Sequence, residues 1–313
     1  MERAPVNDPA ASPRARWRQV FFGPTRMRAG WRVALFLAIS TVIAIVLRVV
    51  LVAARVPLAD TWTPTSFIGL ELITFAVAAG ATVIMARIDR LPFARFGLAA
   101  SEAFGSLFWE GSLWGFGAVA VLIAAIASFG GYHIHGWWLE GSTLAVNAVL
   151  WLVAMVLVGL SEEAYFRGYP LAALADGIGF WPAAIVLSLG FAATHYFGKE
   201  MENVADALSV GLIGLFLCFT LRRTGSLWFA IGFHFAFDFA AIPLLGAPNT
   251  GNHGKPVDTR LLDATFTGPG WLTGGVRGIE ASWLVFPVIA MLFAMFHGRF
   301  PETRFPPEAG SSH

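Results

Sequence analysis

The sequence predicts an all-α membrane protein, a bundle of about eight transmembrane helices enclosing an intramembrane polar cavity. Of 313 residues, 57% are hydrophobic and 13% charged, where a soluble domain carries about a quarter charged residues. The apolar residues gather into blocks of about 20, the length an α-helix needs to cross roughly 30 Å of hydrocarbon. Segments of about 10 alternating residues, the mark of a transmembrane β-barrel, do not recur along the chain.

The first 32 residues are rich in Pro, Ala and Arg and end in Arg26, Arg28 and Arg32. They are expected to form a cytoplasmic, partly disordered segment. The block that follows, 33–54, lacks the short h-region and small-residue cleavage site of a signal peptide and is expected to be retained. Further blocks lie at about 66–86, 108–129, 143–166, 180–198, 205–222, 226–245 and 281–297. They make residues 33–299 a polytopic domain followed by a disordered tail, 300–313. The segment 246–280, rich in Gly, Pro and Thr, is the longest connection and reads as a lid, a re-entrant piece or a linker. Trp62, Trp137 and Trp138 fall at helix ends, where an aromatic belt is expected.

Charge orients this bundle. With eight spans, fifteen Lys and Arg residues fall on the side of the N-terminus, among them Arg87, Arg90, Arg95, Arg167, Arg222, Arg223, Arg299 and Arg304. The other side holds Arg55, Lys199, Lys255, Arg260 and Arg277. Arg48 is left to snorkel from the first helix. Positive loops stay inside, so both termini are expected in the cytoplasm of a multi-pass cell-membrane protein. A net charge of +1, with no basic cluster interleaved with aromatics, points to no nucleic-acid partner. The lone Cys218 cannot form an intrachain disulfide and reads as a packing residue.

Ionisable side chains cost about 2.5–3.5 kcal/mol each in a spanning helix, so those present call for a functional hypothesis. The fourth block ends in Ser161-Glu162-Glu163-Ala164-Tyr165-Phe166-Arg167-Gly168, the fifth holds Phe191-x-x-x-His195 and the seventh His234-x-x-x-Asp238. Residues four apart share a helix face, so Glu163 can pair with Arg167 while Glu162 turns about 100° away and stays free to act as acid or base. The same spacing sets Asp238 beneath His234. Glu71 and Asn147 lie near enough to block ends for an interfacial reading, as does Glu110. His133, His135 and His253 fall in loops and read as solvated.

These three motifs, in this order on successive helices, resemble those of the CAAX-prenyl protease and bacteriocin-processing (CPBP) family of intramembrane proteases, over about residues 143–245. The resemblance implies eight transmembrane helices around a cavity open to the cytoplasmic side. It also implies an endopeptidase cutting a hydrophobic or prenylated (CAAX-like) peptide near the cytoplasmic leaflet. Glu162 and His195 would activate a water, His234 with Asp238 would stabilise the oxyanion, and Glu163 with Arg167 would brace the site. The last family motif ends in Asn or Asp; Asp238 donates a hydrogen bond only when protonated.

The family is often labelled a metalloprotease, and Glu162, His195 and His234 are also the ligand types of a catalytic zinc site. The His-Glu-x-x-His helix of many zinc proteases is missing, and direct action by glutamate is preferred, with Zn the possible cofactor. Three other readings stand beside the protease. The same residues could form a buried network that fixes helix packing, the proton relay of a transporter, or part of a catalytically inert peptide-binding or immunity protein.

Overall fold

The computed structural model describes residues 20–23, 26–56 and 61–305. Most of the Arg-rich N-terminal segment and residues 306–313 lie outside the described residues. In chain order the main helices are α1 (Ala29–Ala53), α2 (Pro64–Asp89), α3 (Ser106–Ser128), α4 (Gly141–Glu163), α5 (Tyr169–Ile178), α6 (Phe180–Gly198), α7 (Val204–Thr224), α8 (Trp228–Phe239) and α9 (Val285–Arg299). Among the described residues six stretches are long and apolar enough to cross a bilayer: α1, α2, α3, the joined stretch Gly141–Ile178, α6 and α7. Trp228–Leu244 and Val285–Arg299 are apolar but shorter. The chain is an all-α, multi-pass membrane protein, and six of the eight expected blocks reach spanning length.

Local chemistry fixes the helix ends. Pro64 opens α2 behind Thr63, whose hydroxyl accepts from the Ser66 amide at 3.4 Å, a position where the missing N–H of proline costs nothing. Asn203 and Asp206 form a reciprocal capping box at the start of α7, satisfying amides that the first turn leaves free. Gly225, at φ 75°, ends the same helix in the left-handed conformation that glycine adopts without strain.

Several boundaries differ from the sequence reading. Helix α1 begins at Ala29, not at 33, so Arg32 lies inside it, buried and paired with Asp89 at 2.6 Å and Asp176 at 3.1 Å. The fourth block does not end at 166. It passes through a π-turn, Ala164–Gly168, and resumes as α5. The last helix starts at Val285. Residues 300–305, expected in a disordered tail, fold back: Phe305 is buried and its carbonyl accepts from Arg222 at 2.6 Å.

The long connection after α8 is an ordered cap. Its strand β2 (Leu262–Phe266) pairs antiparallel with β1 (Tyr132–Trp137), which links α3 to α4. This small sheet was not foreseen in an all-α reading, although Leu262-Asp263-Ala264-Thr265-Phe266 and Tyr132-His133-Ile134-His135 alternate apolar and polar residues; runs of four and five residues are short beside the apolar blocks that flank them. The Leu261 amide donates to the Pro243 carbonyl at 2.7 Å, and Val257 and Ile279 are buried beneath the cap.

Glycines bring α8 to the centre. A Cβ on Gly111 would sit 2.1 Å from the Phe229 carbonyl oxygen, one on Gly115 2.4 Å from that of Phe233, and one on Gly232 2.0 Å from that of Phe108. Gly159 of α4 meets the Ile231 carbonyl on the other flank, at 2.9 Å. Backbones this close gain dispersion that lipid cannot supply, which is how small residues drive helix association in membranes. Helix α8 is therefore clamped between α3 and α4 in one register.

Candidate functional site

That clamp points His234 of α8 at the carboxylates of α4. His234 Nδ1 lies 2.8 Å from Glu163 Oε1, which also accepts from Arg167 Nη1 at 2.7 Å. Glu163 and Arg167 are almost wholly buried, where each charge, taken from water, needs the other as its partner. Arg167 further stacks on the Phe191 ring, 4.4 Å from its centroid. Glycine at 214 makes room for it: a Cβ there would approach Arg167 Nη2 to 2.8 Å. The tautomer of His234 follows from this arrangement, with Nδ1–H donating to Glu163.

His234 Nε2 faces the cavity. It lies 3.4 Å from Asp238 Oδ2 and 3.7 Å from Glu162 Oε2. Glu162 Oε2 is buried and accepts no hydrogen bond within the described residues. The side chains of Glu162 and Asp238 are 28% and 26% exposed, reachable through the cavity, unlike Glu163. On α6, the Nδ1 of His195 lies 3.0 Å from the Phe191 carbonyl. A carbonyl only accepts, so Nδ1 carries the proton there and Nε2 is left with a lone pair.

Glu162, His195, His234 and Asp238 line one cavity of about 220 Å3. Glu163 and Arg167 stand behind it. The structure thus brings five of the six motif residues into a chain of contacts, Arg167–Glu163–His234–Glu162/Asp238, and sets His195 on the same cavity wall. The depth at which His195 lies, near the end of α6, matches that of Glu162 because the helix bearing Glu162 runs on through the π-turn to Ile178. The apolar part of the lining comes from Phe67, Met155, Val158, Ile213, Leu217 and Phe233, among others.

Four polar lining residues were missed. Glu71, read as interfacial, is buried in the cavity and accepts a hydrogen bond from Ser161 Oγ, next to Glu162 in sequence. Its position in an apolar block was the available signal. Lys199, Asn249 and Glu280 also line the cavity. The last two come from the capping segment, where nothing in the local sequence marks them. Burial pushes the Glu280 carboxyl up to about 7, against the opposing pull of Lys199 and with Asp238 and Glu202 adding to the rise. Glu110, by contrast, lies away from the cavity and pairs with Arg299 at 3.0 Å near the helix ends.

The cavity lies toward the end of the bundle opposite the termini, which corrects the expected opening on their side. Glu71 is about two turns from the start of α2 and about five from its end at Asp89. Lys199 caps the far end of α6. Toward the termini the site is backed by the Glu163–Arg167 pair and then by Tyr169, whose hydroxyl donates to Asp89 at 2.6 Å.

Among the described residues no three His, Cys, Asp or Glu side chains gather around a point that a metal ion could occupy. The set Glu162, His195 and His234 therefore does not fit a metal as placed, and the metalloprotease label gains no support.

Residues 143–240 match the family model described as Type II CAAX prenyl endopeptidase Rce1-like. The match covers the helices that carry Glu162, Glu163, Arg167, His195, His234 and Asp238, and it agrees with the resemblance drawn from the three motifs. The matched region is thus similar to a family of intramembrane endopeptidases. Neither a curated protein nor a solved structure matches the chain.

Proposed function

We propose that the protein is an intramembrane endopeptidase that hydrolyses a peptide bond in a hydrophobic or lipid-modified polypeptide, with Glu162 as general base. One observation carries this reading. Glu162 offers a buried oxygen with no protein donor, at the cavity wall shared with the free Nε2 of His195. A water between two such acceptors loses its bulk partners and is held for attack on a carbonyl carbon.

In this mechanism Glu162 takes the water proton as the oxygen attacks, and His195 Nε2 orients the same water. His234, as an imidazolium, donates Nδ1–H to Glu163 and Nε2–H to the oxyanion of the tetrahedral intermediate. Glu162 then returns the proton to the leaving amine, which balances the hydrolysis without a covalent intermediate. Arg167 and Glu163 hold the imidazole in place, and Asp238 is within reach of the same Nε2. The apolar wall around Phe67, Ile213 and Phe233 suits a hydrophobic side chain or an acyl or prenyl chain next to the scissile bond.

The test is cleavage of a quenched lipopeptide by purified protein in lipid, comparing wild type with Glu162→Gln, His195→Ala and His234→Ala. Cleavage should be lost in all three. Equal cleavage by wild type and all three variants would overturn the assignment.

A further inference from the structure

We infer that the site takes its substrate from the non-cytoplasmic face of the membrane, so that the polypeptide it cuts is exported and membrane-anchored. The nature of the substrate rests on the peptidase reading; the side of access rests on geometry and on the distribution of charge.

Three observations fix that side. The first is which connections form the mouth. Trp62 precedes α2, Lys199 follows α6, and Asn249 and Glu280 belong to the cap between α8 and α9; all lie at one end of the bundle. The second is the distribution of positive charge. The opposite end carries Arg26, Arg28, Arg87, Arg90, Arg95, Arg222, Arg223, Arg299 and Arg304, whereas the mouth end carries Arg55, Lys199, Lys255, Arg260 and Arg277. Arg32 and Arg167 belong to neither count, since both are buried in ion pairs. The excess, concentrated next to helix ends, places the first end in the cytoplasm.

The third observation is the seal. Between the cavity and the Arg-rich end stand Glu163 with Arg167, and beyond them a second buried network in which Arg32 reaches Asp89 at 2.6 Å and Asp176 at 3.1 Å while Tyr169 donates to Asp89. Arg95 adds a 3.0 Å contact to Asp176. Access through that end would require parting two sets of desolvated charges, each costing several kcal/mol to leave unpaired. At the mouth the barrier is lower. Phe197 is 83% and Val204 75% exposed beside Lys199, an apolar rim suited to the interface of the outer leaflet, where a membrane-held polypeptide would arrive.

The experiment uses the full chain in intact cells. Single cysteines are placed at exposed Glu200 near the mouth and at exposed Glu302 near the other end, with buried Cys218 left in place as the unreactive control. A membrane-impermeant maleimide should label Glu200→Cys in intact cells and Glu302→Cys only after permeabilisation. A membrane-tethered peptide reporter should be cut when displayed on the outer face, remain whole on the inner face, and remain whole on both in Glu162→Gln. The reverse labelling pattern overturns the orientation whether or not any peptide is cut. Cleavage confined to the inner-face reporter overturns the side of access while leaving the peptidase reading intact. Outside labelling of Glu200→Cys with no cleavage on either face overturns the peptidase reading and the substrate class that rests on it.

Discussion

His234 Nδ1 lies 2.8 Å from Glu163 Oε1, and through this one contact the helix that carries the imidazole is tied to a buried ion pair on the neighbouring helix. The pair has little access to water, so its two halves depend on each other more than either depends on the site.

Removing one half should therefore unfold more than it inactivates. Glu163→Ala leaves the Arg167 guanidinium buried without its carboxylate, and a loss of about 3–5 kcal/mol is expected. Arg167→Ala should cost a similar amount. The double variant Glu163→Ala/Arg167→Met should cost less than the sum of the two, because neither charge is stranded. Thermal unfolding in detergent measures all three, and additive losses would contradict the coupling.

The glycine contacts of α8 predict a contrast within one residue type. Gly232→Ala forces a methyl to within 2.0 Å of the Phe108 carbonyl oxygen, so α8 must shift, taking His234 with it; stability and cleavage should both fall. Gly190→Ala on α6 meets nothing within 4 Å and should stabilise the helix by about 0.5–1 kcal/mol through lower backbone entropy in the unfolded chain. Equal effects of the two substitutions on melting temperature would refute the clamp.

At the cavity, Glu162→Gln keeps the shape of the side chain while removing the base. A rate loss of about 100-fold or more is expected, with melting temperature little changed. Since the site does not fit a metal, prolonged dialysis against a strong chelator should leave wild-type cleavage unaltered. Activity that falls under chelator and returns with zinc would replace the direct glutamate mechanism.

The Glu280 carboxyl, pushed up to about 7, gives stability a pH dependence of known sign. Its value in the unfolded chain is about 4.3, so between there and 7 the folded protein binds more protons than the unfolded one, and stability falls as pH rises through that window. Glu280→Gln should therefore gain stability relative to wild type between pH 5 and 8. Parallel melting-temperature profiles for the two proteins would count against a protonated Glu280.

Much of this was legible in the sequence because membrane helices announce themselves by length, and i, i+4 spacing alone separates Glu162 from the Glu163–Arg167 pair. The three motifs also specified which helices must meet. What escaped was set by long-range packing. Glu71 could be seen but not placed, since only the parallel packing of α2 and α4 brings it to Ser161. Glu280 and Asn249 arrive on a cap whose short strands show period 2, but nothing in the local sequence says that the cap folds over the cavity. The opening on the side of the termini came with the family resemblance, and no residue of the three motifs marks which end of the bundle the cap covers.

The π-turn Ala164–Gly168 gives this long α4–α5 rod two independent phases. A wide turn holds one residue more than the α-helical path needs, so the residues before it and those after it differ by about 100° from the faces a continuous α-helix would present. Upstream the phase aims Glu162 and Glu163 at the imidazole; downstream it aims Tyr169 and Asp176 at Arg32. Deleting a single residue within the turn would keep the helix and its hydrophobic length yet rotate one of these faces away from its partners. The chemistry and the anchorage of this rod are thus joined by a splice.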